Sequence, residues 1–520
     1  MRQVIAILLM MLPLCLKAQG GSVIRGNCTP ELSDDGTALT RGQWRGLVAT
    51  NTDWDPQKVY RQAVVLISFA DFDFSMEKPR ETYDSIFNYP GFNRGKGPGC
   101  VADYFREQSG GLLNLQFDVF GPYKITQNAK LNANATASTY EYGGYAMTEA
   151  TKMWIAEDSA RQYKVYDWNN DKDIDQVIYV YAGYAGNEDN KTCYGHIWPN
   201  TSSLSSTIKT PDNYRVRNFT CSGEIHANGN SWGIGTICHE FTHSLGLPDI
   251  YPTSSSAGYS MVDEWDLMDG GNFTNSGWCP PNYSGLERML MGWQTPIELT
   301  EPATIRGMMP LSEGGPVYMI KHTDNEYYLL ENRQWTGWDA RLPGRGLVVF
   351  HVCFDNSRWR ANTVNNKVSQ RGYQLVCADN LDYDAWDNII GEGVSPYVKG
   401  HNRHLSTAAY PWTTDSTDFV NDCLDDNSTP ASLMYFNNQA GSKNLSKPIS
   451  NIQVADDGTV SFDFMGGDPT DIVDRPELST GTPAPIAIFD LSGRQVTSQR
   501  PGRIYIIRYS DGTTRKVVKR

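Results

Sequence analysis

The sequence predicts an α+β unit over residues 61–295, then a mostly β unit over 296–465 and a short β C-terminal tail within 466–520. Three observations carry that reading. Ala63-Val64-Val65-Leu66-Ile67-Ser68-Phe69 is a continuous apolar run suited to a strand buried on both faces. Helix and strand patterns then alternate as far as Trp293. Beyond it, short β-type runs separated by turn residues take over. At 520 residues the chain is too long for one ordinary core, so two or three folded units are expected.

The elements follow in order. Arg2, the apolar run Val4 to Leu16, and the small residues Ala18, Gly20 and Gly21 read as an export signal over 1–20. Leu14, ahead of Cys15, is larger than a lipoprotein signal normally allows. Residues 21–60 are polar and turn-rich, an N-terminal arm or short pro-segment. Val101 to Gln108 reads as a helix closed by Gly110-Gly111, and Leu113 to Val119 alternates like a strand. A helix is expected around Ala146 to Tyr163 and a strand at Val177 to Tyr181. In the second unit, strands are expected at Val317–Ile320, Tyr327–Glu331, Gly346–Cys353 and Tyr373–Cys377. A hairpin is expected over Ser450–Phe464 around Asp456-Asp457-Gly458. Gly466 to Pro485 reads as a linker, with strands after it at Ile486–Phe489 and Ile504–Ile507.

Composition narrows the function classes. Hydrophobic residues make up 40% and aromatics 12%, which suits a packed protein. A formal charge of −14 repels nucleic acid and anionic lipid, so neither is expected as a partner. No run after the leader approaches the ~18 apolar residues of a membrane span. Ten cysteines in an exported chain permit disulfides, and no C-x-x-C pair suggests a thiolate metal site.

The chemistry concentrates between 233 and 249. Ile234, Ile237, Phe241 and Leu245 recur at helical spacing, which places His239 and His243 one turn apart on a single face. Two imidazoles so placed can share one Zn2+ ion. Glu240 lies beside the first ligand, where its carboxylate can act as general base toward a zinc-bound water attacking a peptide carbonyl. Gly246 can end the helix in a left-handed turn that brings Asp249 round as a third ligand. Three protein ligands leave a fourth position open, as catalytic zinc requires. H-E-x-x-H alone arises by chance in about 6% of chains this long, and with Gly246 and Asp249 added the figure falls to about 10⁻⁴. That difference decides against a core helix with two satisfied histidines.

The stretch His239-Glu240-Phe241-Thr242-His243-Ser244-Leu245-Gly246-Leu247-Pro248-Asp249 resembles the zinc signature of the metzincin metallopeptidases. Asp249 stands where many of them carry a third His, and aspartate there resembles the immune inhibitor A-like family. Trp265-Asp266-Leu267-Met268-Asp269-Gly270-Gly271 is similar to that family's Met-turn, which implies Met268 as a packing residue beneath the metal. Tyr104 to Gly111, Gly292-Trp293, Glu331-Asn332-Arg333, Leu342 to Leu347 and Phe350-His351-Val352 fit the same family, so the resemblance covers residues 60–465. It implies a metzincin-like catalytic domain and a secreted zinc endopeptidase acting on protein or peptide substrates. The short N-terminal segment departs from relatives with a longer pro-region.

Other constellations carry weaker signals. Asp167, Asn169, Asp171, Asp173 and Asp175 place oxygens at alternate residues, as a Ca2+ loop does, although Lys172 and Ile178 break the EF-hand pattern. Cys28 is a candidate latency thiolate or an ordinary disulfide partner. Tyr283 is a candidate oxyanion stabiliser by analogy with tyrosines of some relatives. Trp278 borders the cleft or belongs to the core. His196, His226, His351 and His404 read as structural or surface residues. The tail from Ile486 to Arg520 resembles the end of type IX secretion signals, implying outer-membrane secretion machinery as a partner and a secreted or cell-surface destination. The rival class is a surface binding or adhesion protein on a metzincin-like fold. A degenerate protease would have lost Glu240 or a ligand, and all are present.

Overall fold

In the computed structural model of the chain, residues 54–92, 97–130, 140–188, 190–258, 260–382, 405–413 and 420–468 are described. The backbone is also described for short strands at Leu16–Ala18, Gly21–Val23, Asp471–Val473, Pro485–Asp490, Ile504–Tyr509 and Thr514–Val518. Most of the segments read as a leader and an arm, with Cys28, and His404 lie outside the described residues.

The apolar run lies in β1 (Val59–Ser68) as far as Ser68, with Phe69 in an isolated bridge to Phe72, and β1 is flanked on both sides by parallel partners. One is β2 (Asn114–Lys124) and the other β3 (Val177–Tyr184). Two further strands, β4 (Asn200–Lys209) and β5 (Arg215–Ile225), complete a five-stranded sheet of order β2-β1-β3-β5-β4. Only β4, at the edge, runs antiparallel to its neighbour. The two-residue period of β1 divides its side chains between two cores. Ala63, Val65 and Ile67 face Ala146, Met147 and Trp154 of α3 (Tyr140–Glu157). Val64 and Leu66 face the core shared by α1 (Pro79–Asn88), α2 (Val101–Gln108) and α4 (Gly235–Leu245).

Local chemistry explains the boundaries. At the start of α2, the Cys100 thiol accepts the Asp103 amide at 3.3 Å while the Asp103 carboxylate accepts the Cys100 amide at 3.1 Å, a capping box. Gly110 and Gly111, at φ +59° and +87°, turn the chain away behind it. Helix α3 begins before Ala146 and stops at Glu157 rather than reaching Tyr163. Beyond it the Asp158 carboxylate takes the Ala160 amide at 2.9 Å, and Arg161 reaches back to the Trp154 carbonyl at 2.6 Å. Side-chain bonds of this kind compete with continued helix.

After α5 (Gly285–Leu290) come β6 (Ile297–Glu298), β7 (Ala303–Met308), β8 (Val317–Lys321), β9 (Glu326–Arg333), β10 (Gly346–Cys353), α6 (Asn356–Arg360) and β11 (Tyr373–Leu375). Strands β11-β10-β9-β8-β6 form a second sheet. The expected hairpin forms as β12 (Ile449–Val454) and β13 (Val460–Phe464), and joins β7 in a third sheet. Asp471–Val473 pairs in parallel with β7, so part of the segment read as a linker is a strand. The tail strands pair antiparallel, 485–490 with 504–509 and 504–509 with 514–518.

The second sheet is buried on both faces. Val317, Met319, Leu329, Val348 and Phe350 join the core that contains Leu286, Leu290 and Met291. Tyr318, Ile320, Leu330 and Val349 pack instead against Ile452, Phe462 and Phe464. The sequence boundary at 295 therefore marks a change of texture, while the packing runs across it. All eight cysteines among the described residues are free thiols.

Candidate metal centre

Two glycines allow α4 to sit where it does. A Cβ on Gly235 would lie 2.0 Å from the Asn272 carbonyl oxygen, and one on Gly233 equally close to the Gly277 carbonyl carbon. Only bare backbone lets the helix start press so tightly against the loop over 272–278. At the other end Gly246, at φ +117°, closes the helix, its amide donating to the Thr242 and His243 carbonyls.

That turn delivers Asp249 to the histidines. Its Oδ1 lies 3.2 Å from Nε2 of His239 and 3.2 Å from Nε2 of His243. Among the described residues these three form the one group of histidine, cysteine and carboxylate side chains close enough to share an ion, with all ligand atoms within 4.8 Å. Each imidazole is oriented from behind. His239 Nδ1 donates to the Leu267 carbonyl at 2.9 Å and His243 Nδ1 to the Leu247 carbonyl at 2.8 Å. A carbonyl can only accept, so both rings carry a proton on Nδ1, which leaves Nε2, facing Asp249, as the nitrogen available to a cation. His243 Nε2 and Asp249 Oδ1 are buried and lack hydrogen-bond geometry despite their proximity. Two orphaned, converging donor atoms in a buried site are what a tetrahedral N,N,O metal position requires. Without a cation, burial pulls the His243 imidazole down, but the Asp249 carboxylate outweighs it and lifts the group to about 9. Burial pushes Asp249 up, and the two imidazoles outweigh that and hold it well below the usual carboxylate range.

Glu240 lies on the same helix, 2% exposed. Its main-chain carbonyl accepts from Thr201 Oγ1 on β4 at 2.5 Å, and its Oε2 lies 3.2 Å from the same hydroxyl. Met268 is fully buried in the apolar core. Its carbonyl accepts from the Ile250 amide at 2.8 Å, and its amide donates to Asp266 Oδ1 at 2.8 Å. The segment 265–271 thus touches both the helix, through Leu267 and His239, and the chain carrying Asp249. Below it, Arg333 donates two 2.8 Å bonds to Asp339 and one of 3.1 Å to Glu331, all three fully buried.

Residues 66–289 match the family described as immune inhibitor A peptidase M6, catalytic domain. The matched segment, less than half of the chain, is similar to the catalytic domain of that family. Immune inhibitor A of Bacillus thuringiensis subsp. alesti is 24% identical over 299 residues, which cover 48% of this chain and 42% of that protein. The chain thus spans less than half the length of this curated relative. The His-His-Asp group lies inside the segment that matches this metallopeptidase catalytic domain.

Other expected residues lie elsewhere. Tyr283 is fully buried, its hydroxyl bonded to Thr242 Oγ1 and its ring stacked on Trp293 at 5.2 Å. Burial pushes its phenol well above the ordinary range. A hydroxyl spent inside the core is not placed for an oxyanion, so that role finds no support. Trp278 is core, not cleft. In the acidic loop, Asp167 accepts the Asp171 and Lys172 amides, Asp175 accepts the Trp168 amide, Asp171 accepts the Asp173 amide, and Asp173 pairs with Arg215. Asn169 is exposed on the same turn. These carboxylates serve the turn and do not converge, so Ca2+ binding is unsupported. His226 pairs with Glu188 at 2.8 Å and His351 with Glu326 at 2.9 Å, both structural contacts. His196 is buried, and that burial lowers it to about 4. Two residues that touch the site were not anticipated, Thr201 and Asn362. Neither stands in a motif, and only the fold brings them near the helix.

Proposed function

We propose that the chain is a zinc-dependent endopeptidase that hydrolyses peptide bonds of protein substrates, with His239, His243 and Asp249 holding the ion and Glu240 as general base. The observation that carries this is the convergence of two oriented imidazole nitrogens and one carboxylate oxygen beside a glutamate on the same helix. When bound, zinc supplies a Lewis acid that polarises the scissile carbonyl and makes water a nucleophile at neutral pH. Glu240 accepts the proton of the attacking water and passes it to the departing amine. Its place one residue after His239 on the ligand helix supports that role, and Thr201 holds that turn of helix against the sheet. Met268 fits the part of a Met-turn residue, a buried packing side chain whose main chain ties ligand loop to helix. The leader-like N-terminus supports action outside the cell, and no helix among the described residues is long and apolar enough to cross a membrane.

The test is cleavage of gelatin or casein by purified wild type and Glu240→Ala, with zinc content measured in both. The reading expects equal zinc in the two proteins and a loss of about 10²–10⁴-fold in rate for the variant. Zinc in both with cleavage by neither would favour the binding-protein alternative. Absence of zinc from both would remove the ligand assignment.

A further inference from the structure

Resting on the zinc-site reading above, we infer that Asn362 is a positioning residue for the third ligand, and that the metal centre is completed from outside the family's catalytic segment. Asn362 follows α6 in the second unit, well past residue 289 where the family match ends. It meets Asp249 at two points. Asn362 Nδ2 donates to Asp249 Oδ2 at 2.6 Å, and the Asp249 amide donates to Asn362 Oδ1 at 2.6 Å.

This paired contact sets both the main chain and the side chain of the ligand. Asp249 is fully buried, so an unpartnered Oδ2 would be a costly buried anionic oxygen. The amide of Asn362 satisfies it and thereby leaves Oδ1 as the oxygen that faces the two imidazoles. Tilting the carboxylate plane away from this orientation would break a charge-assisted bond. Asparagine is suited to the position for a second reason. Its φ is +53°, a left-handed conformation that Asn adopts more readily than other side-chain-bearing residues.

The neighbouring residues hold this arrangement rigid. Thr253 Oγ1 donates to the Asn362 carbonyl at 2.7 Å. Asn365 Nδ2 reaches the Ile250 carbonyl at 2.8 Å, and Asn366 Oδ1 accepts the Ser254 amide at 3.1 Å. The run from 362 to 366 therefore clamps the chain from 249 to 254, but of these residues only Asn362 touches the ligand itself in these contacts. Partners that orient ligands in this way typically change metal affinity by about 10–100-fold when removed.

The experiment measures zinc affinity by chelator competition on the full chain, for wild type, Asn362→Asp, Asn362→Gly, Asn366→Ala and His239→Ala. Thermal melting of each metal-free protein is recorded, together with the visible spectrum of each cobalt-substituted form. Asn362→Asp keeps shape and backbone preference but sets a carboxylate against Asp249, while Asn362→Gly keeps the left-handed backbone and removes the clamp. Both are expected to bind zinc about 10–100-fold more weakly than wild type, with an altered cobalt spectrum. Asn366→Ala, which loosens the same loop without touching Asp249, is expected to retain wild-type affinity and spectrum. Wild-type affinity and spectrum in both Asn362 variants would overturn the positioning role and leave the zinc site standing. Equal weakening by Asn366→Ala would overturn it too, since loop integrity alone would then explain the effect. If wild type binds zinc no more tightly than His239→Ala, the zinc-site reading fails first, and this inference falls with it.

Discussion

Thr201 Oγ1, at the start of an edge strand, lies 2.5 Å from the main-chain carbonyl of Glu240 and 3.2 Å from its carboxylate. One hydroxyl thus links the sheet to the residue proposed as base. Thr201→Val keeps the shape and removes the hydroxyl. The expected result is a fall in kcat with little change in KM and unchanged zinc content, plus a stability cost of about 1 kcal/mol for the lost hydrogen bond. Steady-state kinetics and denaturant melts check it. A change confined to KM would show that Thr201 serves substrate binding.

Removal of the metal should abolish cleavage and lower stability together. Binding to the folded state alone contributes RT ln(1 + [L]/Kd), about 4 kcal/mol at a free ion concentration 1,000-fold above Kd. Calorimetry of chelated and zinc-restored protein reads the difference. Equal melting temperatures would show that the ligands hold no ion.

Tyr283 separates a structural from a catalytic tyrosine. Tyr283→Phe removes a buried hydroxyl bonded to Thr242 and is expected to cost about 1 kcal/mol while kcat stays at the wild-type level. A drop in kcat approaching the 10²–10³-fold typical of a lost oxyanion donor would restore the catalytic role.

Asp266 gives a pH-dependent prediction away from the ligands. Burial raises its carboxyl to about 7, against an ordinary 3.8. The folded state therefore holds a proton that the unfolded state has lost across that interval. Its contribution to stability is fully present below about 3.8 and declines as pH rises to about 7. Asp266→Asn mimics the protonated form and keeps an acceptor for the Met268 amide. The variant should gain melting temperature relative to wild type at pH 8 and lose that advantage toward pH 4. A difference independent of pH would remove the assignment.

The strands were legible where burial left a simple pattern. The run from Ala63 forms a strand as far as Ser68, and Val101 to Gln108 and Gly346 to Cys353 appear as read, because a strand inside a sheet needs apolar residues on both faces and a helix needs its cap. The end of α3 was misplaced because Asp158 and Arg161 stop it through side-chain bonds that periodicity does not register. The cysteines were open to disulfides on compartment grounds, yet the eight described ones are buried or partly buried thiols.

Sequence alone determined the candidate metal group, because His239, Glu240 and His243 share one helix and Asp249 follows one turn later. Their geometry is local, set by a 3.6-residue period and a glycine stop. Tertiary structure alone decided what surrounds that group. Thr201 comes from an edge strand 39 residues earlier and Asn362 from a loop 113 residues later. Tyr283, an oxyanion candidate only by analogy, is buried in the core instead. Partners this distant are chosen by how sheets and helices pack, and no spacing along the chain encodes that choice.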